Sequence, residues 1–217
     1  MTDVDSSAEE TARIILDCGA VHTRTGGEPF FFSSGWASPV FVDLKRLISY
    51  PQARRRLLAL ALDRIAAELP AGSFQQVAGC ELAGVPFATI VADRLDLPLV
   101  VALKQARGFD RLSQFEGTFE PGTSTLLVDD LTTDGRTKQS LKAALERAQA
   151  RVVGIFVFFN YGIFPAATDI LSLTTLADVV RVAERDGLLA ADALRDLKAF
   201  AEDAPRWSRR HGGIAGL

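Results

Sequence analysis

Asp129 and Asp130 stand side by side after an apolar run, and a hydroxyl-rich turn follows them at once. The stretch from Ser124 to Thr137 reads Ser-Thr-Leu-Leu-Val-Asp-Asp-Leu-Thr-Thr-Asp-Gly-Arg-Thr. Leu126, Leu127 and Val128 have the make-up of a buried strand, which sets the two carboxylates at its carboxyl end, where open α/β sheets bind their ligands. Thr132, Thr133, Asp134 and Gly135 then lead into a helix. Such a turn offers backbone N–H groups and the positive end of a helix dipole to an anion. Carboxylates accept hydrogen bonds from hydroxyls while the turn holds the anion, so the combination suits a ligand with vicinal hydroxyls and a phosphate. A sugar phosphate meets both needs. The plainer alternative is a strand and a capped helix, with Asp134 as the cap and the acids solvated. An acidic pair alone does not argue against it, but strand, dyad, Thr/Gly turn and helix together do. The sequence has neither a Walker motif nor Gly-x-Gly-x-x-Gly, which argues against ATPase and dehydrogenase chemistry.

Positive charge for such a ligand is available in one long segment. Between the apolar run ending at Leu103 and the one starting at Thr125 lie about twenty residues without apolar periodicity, and they include Lys104, Arg107 and Arg111. Connections this long within a compact domain are mostly functional or disordered, so a mobile lid is expected here. A solvated hairpin without a role is the rival.

The elements that must position these residues follow from periodicity. Ser7 with Glu10 forms a capping box, and Ile14, Ile15 and Cys18 continue an apolar stripe to Gly19, which predicts a helix over 8–18. Ala20 to Asp43 alternates short β-prone pieces with turn signals, which predicts a hairpin or small sheet. Pro51 opens a long helix whose stripe of Leu57, Leu58, Ala61, Ile65 and Leu69 ends at Pro70-Ala71-Gly72. Beyond Gly72 strands are expected at 76–80, 99–103, 125–128 and 152–159, with helices at 85–95 and 137–148. Repeated βα units of this length require crossovers, and crossovers give a mostly parallel sheet with helices on both faces. Helices near 175–185 and 188–203 close the chain, and the stretch after Trp207 reads as loosely held.

Composition narrows the class further. With 217 residues and 48% hydrophobic residues the chain can bury a sizeable core, so disorder is not expected. A net charge of -3 gives no general attraction to nucleic acid or to an anionic membrane, so phosphate binding must be local. Cys18 and Cys80 lie far apart with no metal-type spacing, and reduced thiols are expected. An acidic start (Asp3, Asp5, Glu9, Glu10) without an apolar run is unlike a secretory signal, and no stretch approaches the roughly twenty apolar residues that span a bilayer. The expected location is the cytoplasm.

These residues also carry a resemblance. Val128-Asp-Asp-Leu-Thr-Thr-Asp-Gly-Arg-Thr137 resembles the diphosphoribosyl-binding motif of type I phosphoribosyltransferases. Ser34-Gly-Trp-Ala-Ser-Pro-Val-Phe-Val-Asp43, Gly79-Cys-Glu-Leu-Ala-Gly-Val-Pro86 and the Lys104–Gly117 segment resemble the N-terminal signature, strand-end turn and catalytic loop of the orotate phosphoribosyltransferases. Order and spacing match from about residue 12 to Trp207-Ser208. The pattern departs in places: Leu103 precedes Lys104 where the family has arginine, Arg107 stands for a lysine and Phe109 for a histidine. Ser33 falls at the family's N-terminal lysine, and Asn160-Tyr161 near its orotate-binding arginine.

The resemblance implies a type I phosphoribosyltransferase fold, with residues 1–72 forming a small N-terminal α+β hood region and long helix that contribute to the base site. Residues 73–217 would form the donor-binding core, with a catalytic loop at 104–117. It implies Mg²⁺-dependent transfer from 5-phosphoribosyl 1-diphosphate to orotate, the metal being held mainly by substrate oxygens rather than by the protein. Asp129 and Asp130 would hold the ribose hydroxyls, Leu131 would belong to the donor site, and Thr132, Thr133, Asp134, Gly135, Arg136 and Thr137 would hold the 5'-phosphate. Thr133 would also face orotate. Lys104 and Arg107 would meet the leaving diphosphate, and Glu81 reads as a satisfied surface acid. The loop would be shared across a homodimer interface, with neither nucleic acid nor membrane as partner. The rivals are a phosphoribosyltransferase for another base and a non-catalytic sensor of the same donor.

Overall fold

The computed structural model describes residues 3–164, 167 and 169–216. Helix α1 spans Asp3–Asp17, so it is already under way at Ser7, whose carbonyl accepts a hydrogen bond from Thr11 Oγ1 at 2.8 Å. The expected start at the Ser7–Glu10 box is therefore one turn late. Acidic residues suit the positive end of a helix, so the acidic run extends the helix instead of preceding it. Ala12 and Ile15 are fully buried, and α1 packs on α5 (Leu176–Arg185) and β10 (Leu171–Thr175).

The expected small sheet is two short antiparallel ribbons. Strand β1 (Val21–Thr23) pairs with β4 (Val40–Val42), and β2 (Phe30–Phe31) pairs with β3 (Ala37–Ser38). A 3₁₀ turn over Leu44–Ser49 leads to α2 (Pro51–Glu68), where Pro51 takes a position that needs no N–H donor. Leu57, Leu58, Ala61 and Ile65 are buried as their spacing predicts.

The core is a six-stranded sheet in the order β10-β9-β8-β5-β6-β7. Its strands are β5 (Gln76–Cys80), β6 (Leu99–Ala102), β7 (Phe115–Glu116), β8 (Ser124–Thr132), β9 (Arg151–Asn160) and β10. All neighbours run parallel except β7 against β6. Helices α3 (Gly84–Leu95) and α4 (Arg136–Arg147) are the crossovers beside the dyad. Side chains alternate across β8: Leu126 and Val128 join the core under α2, α3 and α5, while Leu127 joins a second core with Leu141 and Leu145 of α4. This covers both faces, as the βα repeat requires.

Strand β8 does not stop at Val128. Its partner β9 continues alongside, pairing Asp129 with Val157, Leu131 with Phe159 and Thr132 with Asn160, whereas its pairing with β5 stops at Gly79–Val128. The dyad is thus held on one edge and open on the other. Chain order also reverses between β5 and β8, because β6 lies on one side of that pair and β9 on the other. A switch point of this kind leaves a crevice beyond the strand ends.

Two expected irregular segments are firmer than their sequence suggests. Within the charged connection, Phe115 and Phe119 are buried with ring centroids 5.5 Å apart, and β7 pairs with β6. The stretch after Trp207 is not loose: α6 (Ala191–Glu202) is followed by α7 (Ala204–Arg210), capped by Asp203, and Ser208 is fully buried. Cys18 and Cys80 are free thiols. No helix among the described residues is long and apolar enough to cross a membrane.

Candidate active site

Asp129 and Asp130 are 5% and 7% exposed, so both carboxyls sit in a poorly solvated place. One has a built-in partner. Lys138, in the first turn of α4, puts Nζ 2.5 Å from Asp129 Oδ2, while Asp129 Oδ1 accepts the Asp130 N–H at 2.9 Å. Burial, the largest single influence, would lower the Lys138 pKa, but the charge and hydrogen bond of Asp129 together with the charges of Cys80 and Asp130 outweigh it and the net shift is upward. Asp130 lacks such a cation: burial first, and then the Asp129 charge, push its pKa up to about 7. Below them, burial and Asp129 push the Cys80 thiol well above its ordinary range, which makes it inert filling. Gly84 lets α3 begin this close, since a Cβ there would lie 2.5 Å from Asp129 Oδ1.

The turn after β8 is closed by its own acid. Asp134 Oδ1 accepts the Arg136 N–H at 3.2 Å and Oδ2 pairs with Arg136 Nε at 2.9 Å, so its charge is neutralised beside the turn. Gly135 takes φ +80°, a backbone conformation that a side chain rarely tolerates, and so α4 can start immediately. Arg136 Nη2 also reaches the Ser34 carbonyl at 3.1 Å, tying the turn to the β2–β3 connection.

Two adjoining cavities converge here. One of about 280 Å³ lies between the turn (Leu131, Thr132, Thr133, Asp134, Gly135, Thr137) and the β2–β3 hairpin with Tyr161. The other, about 320 Å³, is bordered by Lys104, Glu81, Asp43 and the dyad. Ser33, Phe41, Leu131, Thr137 and Lys138 line both, so they form one cleft. Lys104 also borders a third hollow with Arg136 and Thr137.

The expected residues are therefore brought together with one exception. Arg107 lines none of these cavities: its guanidinium lies 3.6 Å from Glu81 Oε1 and 3.6 Å from Glu116 Oε1. Glu81 also accepts the Lys104 N–H at 2.8 Å, so this acid is satisfied, as expected, but by the loop itself. Arg111 is tied down by the carbonyls of Ala148 and Phe119, each at 2.7 Å.

Sequence reasoning missed Lys138 and Tyr161. The signal for Lys138 was its place in the first turn of a helix that starts beside the dyad. Tyr161, near the position where the resemblance would put an arginine, is buried; its hydroxyl donates to Val40 O at 3.4 Å and accepts from Val42 N at 3.3 Å. Burial raises its pKa well above the ordinary value, so it works as a neutral prop between the sheet and the hood strands.

A model of the phosphoribosyl transferase domain matches residues 54–168. Orotate phosphoribosyltransferase from Sinorhizobium fredii is 35% identical over 100% of this chain and 96% of its own length. The chain belongs to the orotate phosphoribosyltransferase family. The enzyme of that name from Cereibacter sphaeroides is 36% identical, covering 92% of this chain and 89% of its own. These matches extend across the N-terminal ribbons that the domain model leaves out. Among solved structures, orotate phosphoribosyltransferase from Aeropyrum pernix superposes with TM-score 0.66 at 24% identity, covering 82% of this chain and 99% of that one. Leishmania donovani UMP synthase gives TM-score 0.75 at 24% identity over 90% of this chain, which spans only 42% of that longer protein. These two likenesses speak for the fold alone, a type I phosphoribosyltransferase fold with a central, mostly parallel sheet flanked by helices.

Proposed function

We propose that the chain transfers the phosphoribosyl group of 5-phosphoribosyl 1-diphosphate to orotate, forming orotidine 5'-monophosphate and diphosphate, as a step of pyrimidine biosynthesis in the cytoplasm. The observation that carries this reading is the continuity of the cleft: a buried acidic pair and an anion-suited turn open into a cavity roofed by the N-terminal ribbons. The core from residue 73 onward holds the donor and the 1–72 region contributes to the base site. Asp129 and Asp130 accept hydrogen bonds from the ribose hydroxyls, with Lys138 fixing Asp129. Leu131 to Thr137 hold the 5'-phosphate, and Thr133 also faces the base.

The reaction breaks the bond from the anomeric carbon to the diphosphate oxygen and forms one to orotate N1, whose acidic proton passes to the departing diphosphate or to water. Positive charge develops on the ribose ring, which the dyad favours, while negative charge collects on the leaving group, which Lys104 and Arg107 favour. Exposed ion pairs such as those of Arg107 are worth about 0–1 kcal/mol, so the arginine can exchange Glu81 and Glu116 for diphosphate. Closing the loop then excludes water. In this reading the protein is a homodimer, and the loop reaches the neighbour's cleft.

The cleft fits a ligand that carries a cation. Asp130 has no cation of its own among the described residues, and Asp43 Oδ1, which makes no hydrogen bond, faces only Lys45 Nζ at 3.5 Å among them. Mg²⁺, held mainly by substrate oxygens, neutralises part of the diphosphate charge when bound. Loss of orotate absorbance with Mg²⁺ and the donor tests the assignment, beside a panel of uracil and purines. Orotate is expected to be the best acceptor; faster turnover of another base, or donor binding without turnover, overturns it.

A further inference from the structure

The hairpin that roofs the 280 Å³ cavity is held from behind by residues far away in sequence. Its tip is a tight turn, in which Gly35 N donates to Phe32 O at 2.8 Å and Phe32 N donates to Trp36 O at 2.9 Å. Phe32, Ser33 and Ser34 face the cavity. On the opposite side, the buried Ser208 hydroxyl accepts the Ala37 N–H at 3.0 Å and donates to Ile214 O at 2.5 Å. Ile214 N donates to Gly35 O at 3.0 Å, and Gly213 N donates to Ser208 O at 2.9 Å. The fit is close: a Cβ on Gly213 would lie 2.4 Å from Ala37 N, and one on Gly35 would lie 3.2 Å from Ile214 Cγ2. The platform is itself firm, because Trp207 packs between Phe200 and His211, with ring centroids 5.5 and 3.7 Å away.

The hairpin needs such support. Strands β2 and β3 have two residues each and pair with each other alone among the described residues, and an isolated two-stranded ribbon is marginal in water. The hydroxyl of Ser208 meets a main-chain N–H of β3 and, through Ile214, a main-chain carbonyl of the tip, so it fixes where Ser33 and Ser34 stand over the cavity. The dyad and Lys104 make none of these contacts, and the turn touches the hairpin from the other side, through Arg136 Nη2 to Ser34 O at 3.1 Å.

We infer that Ser208, with the 211–216 segment that it anchors, is a positioning residue for the acceptor half of the cleft and sets affinity for the base without touching it. This rests on the reading that the base lies under the hairpin. Ser208→Ala removes the two-sided hydroxyl, Gly213→Ala pushes the segment off the hairpin, and Ile214→Ala is a milder change should either fail to fold. Each is expected to raise the KM for orotate roughly threefold to tenfold, the worth of about one hydrogen bond. The KM for the donor and the kcat should stay within about twofold. Leu145→Ala, which opens the second core without touching the hairpin, controls for general destabilisation and should move neither KM. Equal rises in both KM values, or none, overturn the inference. Ser33→Trp, which fills the cavity from the hairpin side, separates the causes of failure. If it raises the orotate KM while the Ser208, Gly213 and Ile214 variants do not, the positioning role alone falls. If it too leaves orotate binding intact, the base lies elsewhere and both readings fall.

Discussion

The two halves of the cleft are built on opposite plans. The half proposed to hold the donor is local: β8, the turn and α4 are consecutive in sequence, and the dyad, the turn and Lys138 fall within Asp129–Lys138. The half proposed to hold the acceptor is assembled from the 31–34 hairpin, Tyr161 and, behind them, Ser208 to Ile214. A local site is fixed by a sheet that must form anyway, so its substitutions should strike donor chemistry and stability together. An assembled site depends on contacts between distant segments, so it can be loosened from far away.

The sharpest break should come at the Lys138–Asp129 pair. Lys138→Met leaves a buried carboxylate unpaired, and that costs about 3–5 kcal/mol of stability in urea unfolding. The double variant with Asp129→Asn should regain most of the loss, because position 129 then carries no buried charge to leave unpaired. A single-variant loss below about 1 kcal/mol would mean that the pair is solvated and that the donor half is less locked than its geometry indicates.

Next in size is Asp130→Asn, expected to lower kcat/KM for the donor by about 1.5–3 kcal/mol, roughly tenfold to a hundredfold, with the fold intact. An unchanged donor kcat/KM would remove Asp130 from the donor half. Mixing this variant with a Lys104→Ala, Arg107→Ala double variant asks whether the loop belongs to its own cleft. If the site is shared in a two-fold dimer, half the dimers after equal exchange are hybrids with one intact site, and about a quarter of wild-type activity returns. Confirmed hybrids without recovery would assign each loop to its own chain.

The smallest effect is a slope. The folded Asp130 keeps its proton up to about 7, while the unfolded carboxyl releases it near 3.8. The folded state therefore binds more protons between these values, and stability falls as pH rises through that window, the loss being complete above about 7. Burial sets this first and the Asp129 charge next, while Lys138 and the Leu131 main chain oppose them. Asp130→Asn should flatten the slope, gaining melting temperature over wild type at about pH 8 and little at about pH 4. Parallel curves would show that another group governs the pH response.

The same contrast decides what could be read from the sequence. The β5, α3, β8 and α4 elements were legible because each carries its own periodicity and the turn its own chemistry. The end of β8 was not: local composition changes at Asp129, but the strand continues because β9 continues beside it. Strands β7 and β10 are short or polar at the sheet edges and give little local signal. Ser208 looks like any exposed serine in a basic run until α7 folds onto β3, and Tyr161 gains its place only when the hood strands arrive. Lys138 reads as a surface lysine on a polar helix, yet the helix start aims it at the dyad.

The clamp on Arg111 turns the loop into a tether of known length. With Leu103 held by Gln114, through Leu103 N to Gln114 O at 2.9 Å, and Arg111 held by Ala148 and Phe119, the span between the anchors runs from Lys104 to Asp110, and extending it breaks the Lys104 N–H bond to Glu81 at 2.8 Å and the Arg107 N–H bond to Ser113 O at 2.7 Å. Its midpoint is Arg107, four residues from either anchor. Fully stretched, four residues cover about 14 Å at roughly 3.5 Å each. Any cleft that this arginine serves, in its own chain or in a neighbour, must bring its leaving-group position within about that radius of Leu103, plus the length of one arginine side chain. A dimer whose clefts lie farther from the loop roots must release Arg111 before it can work.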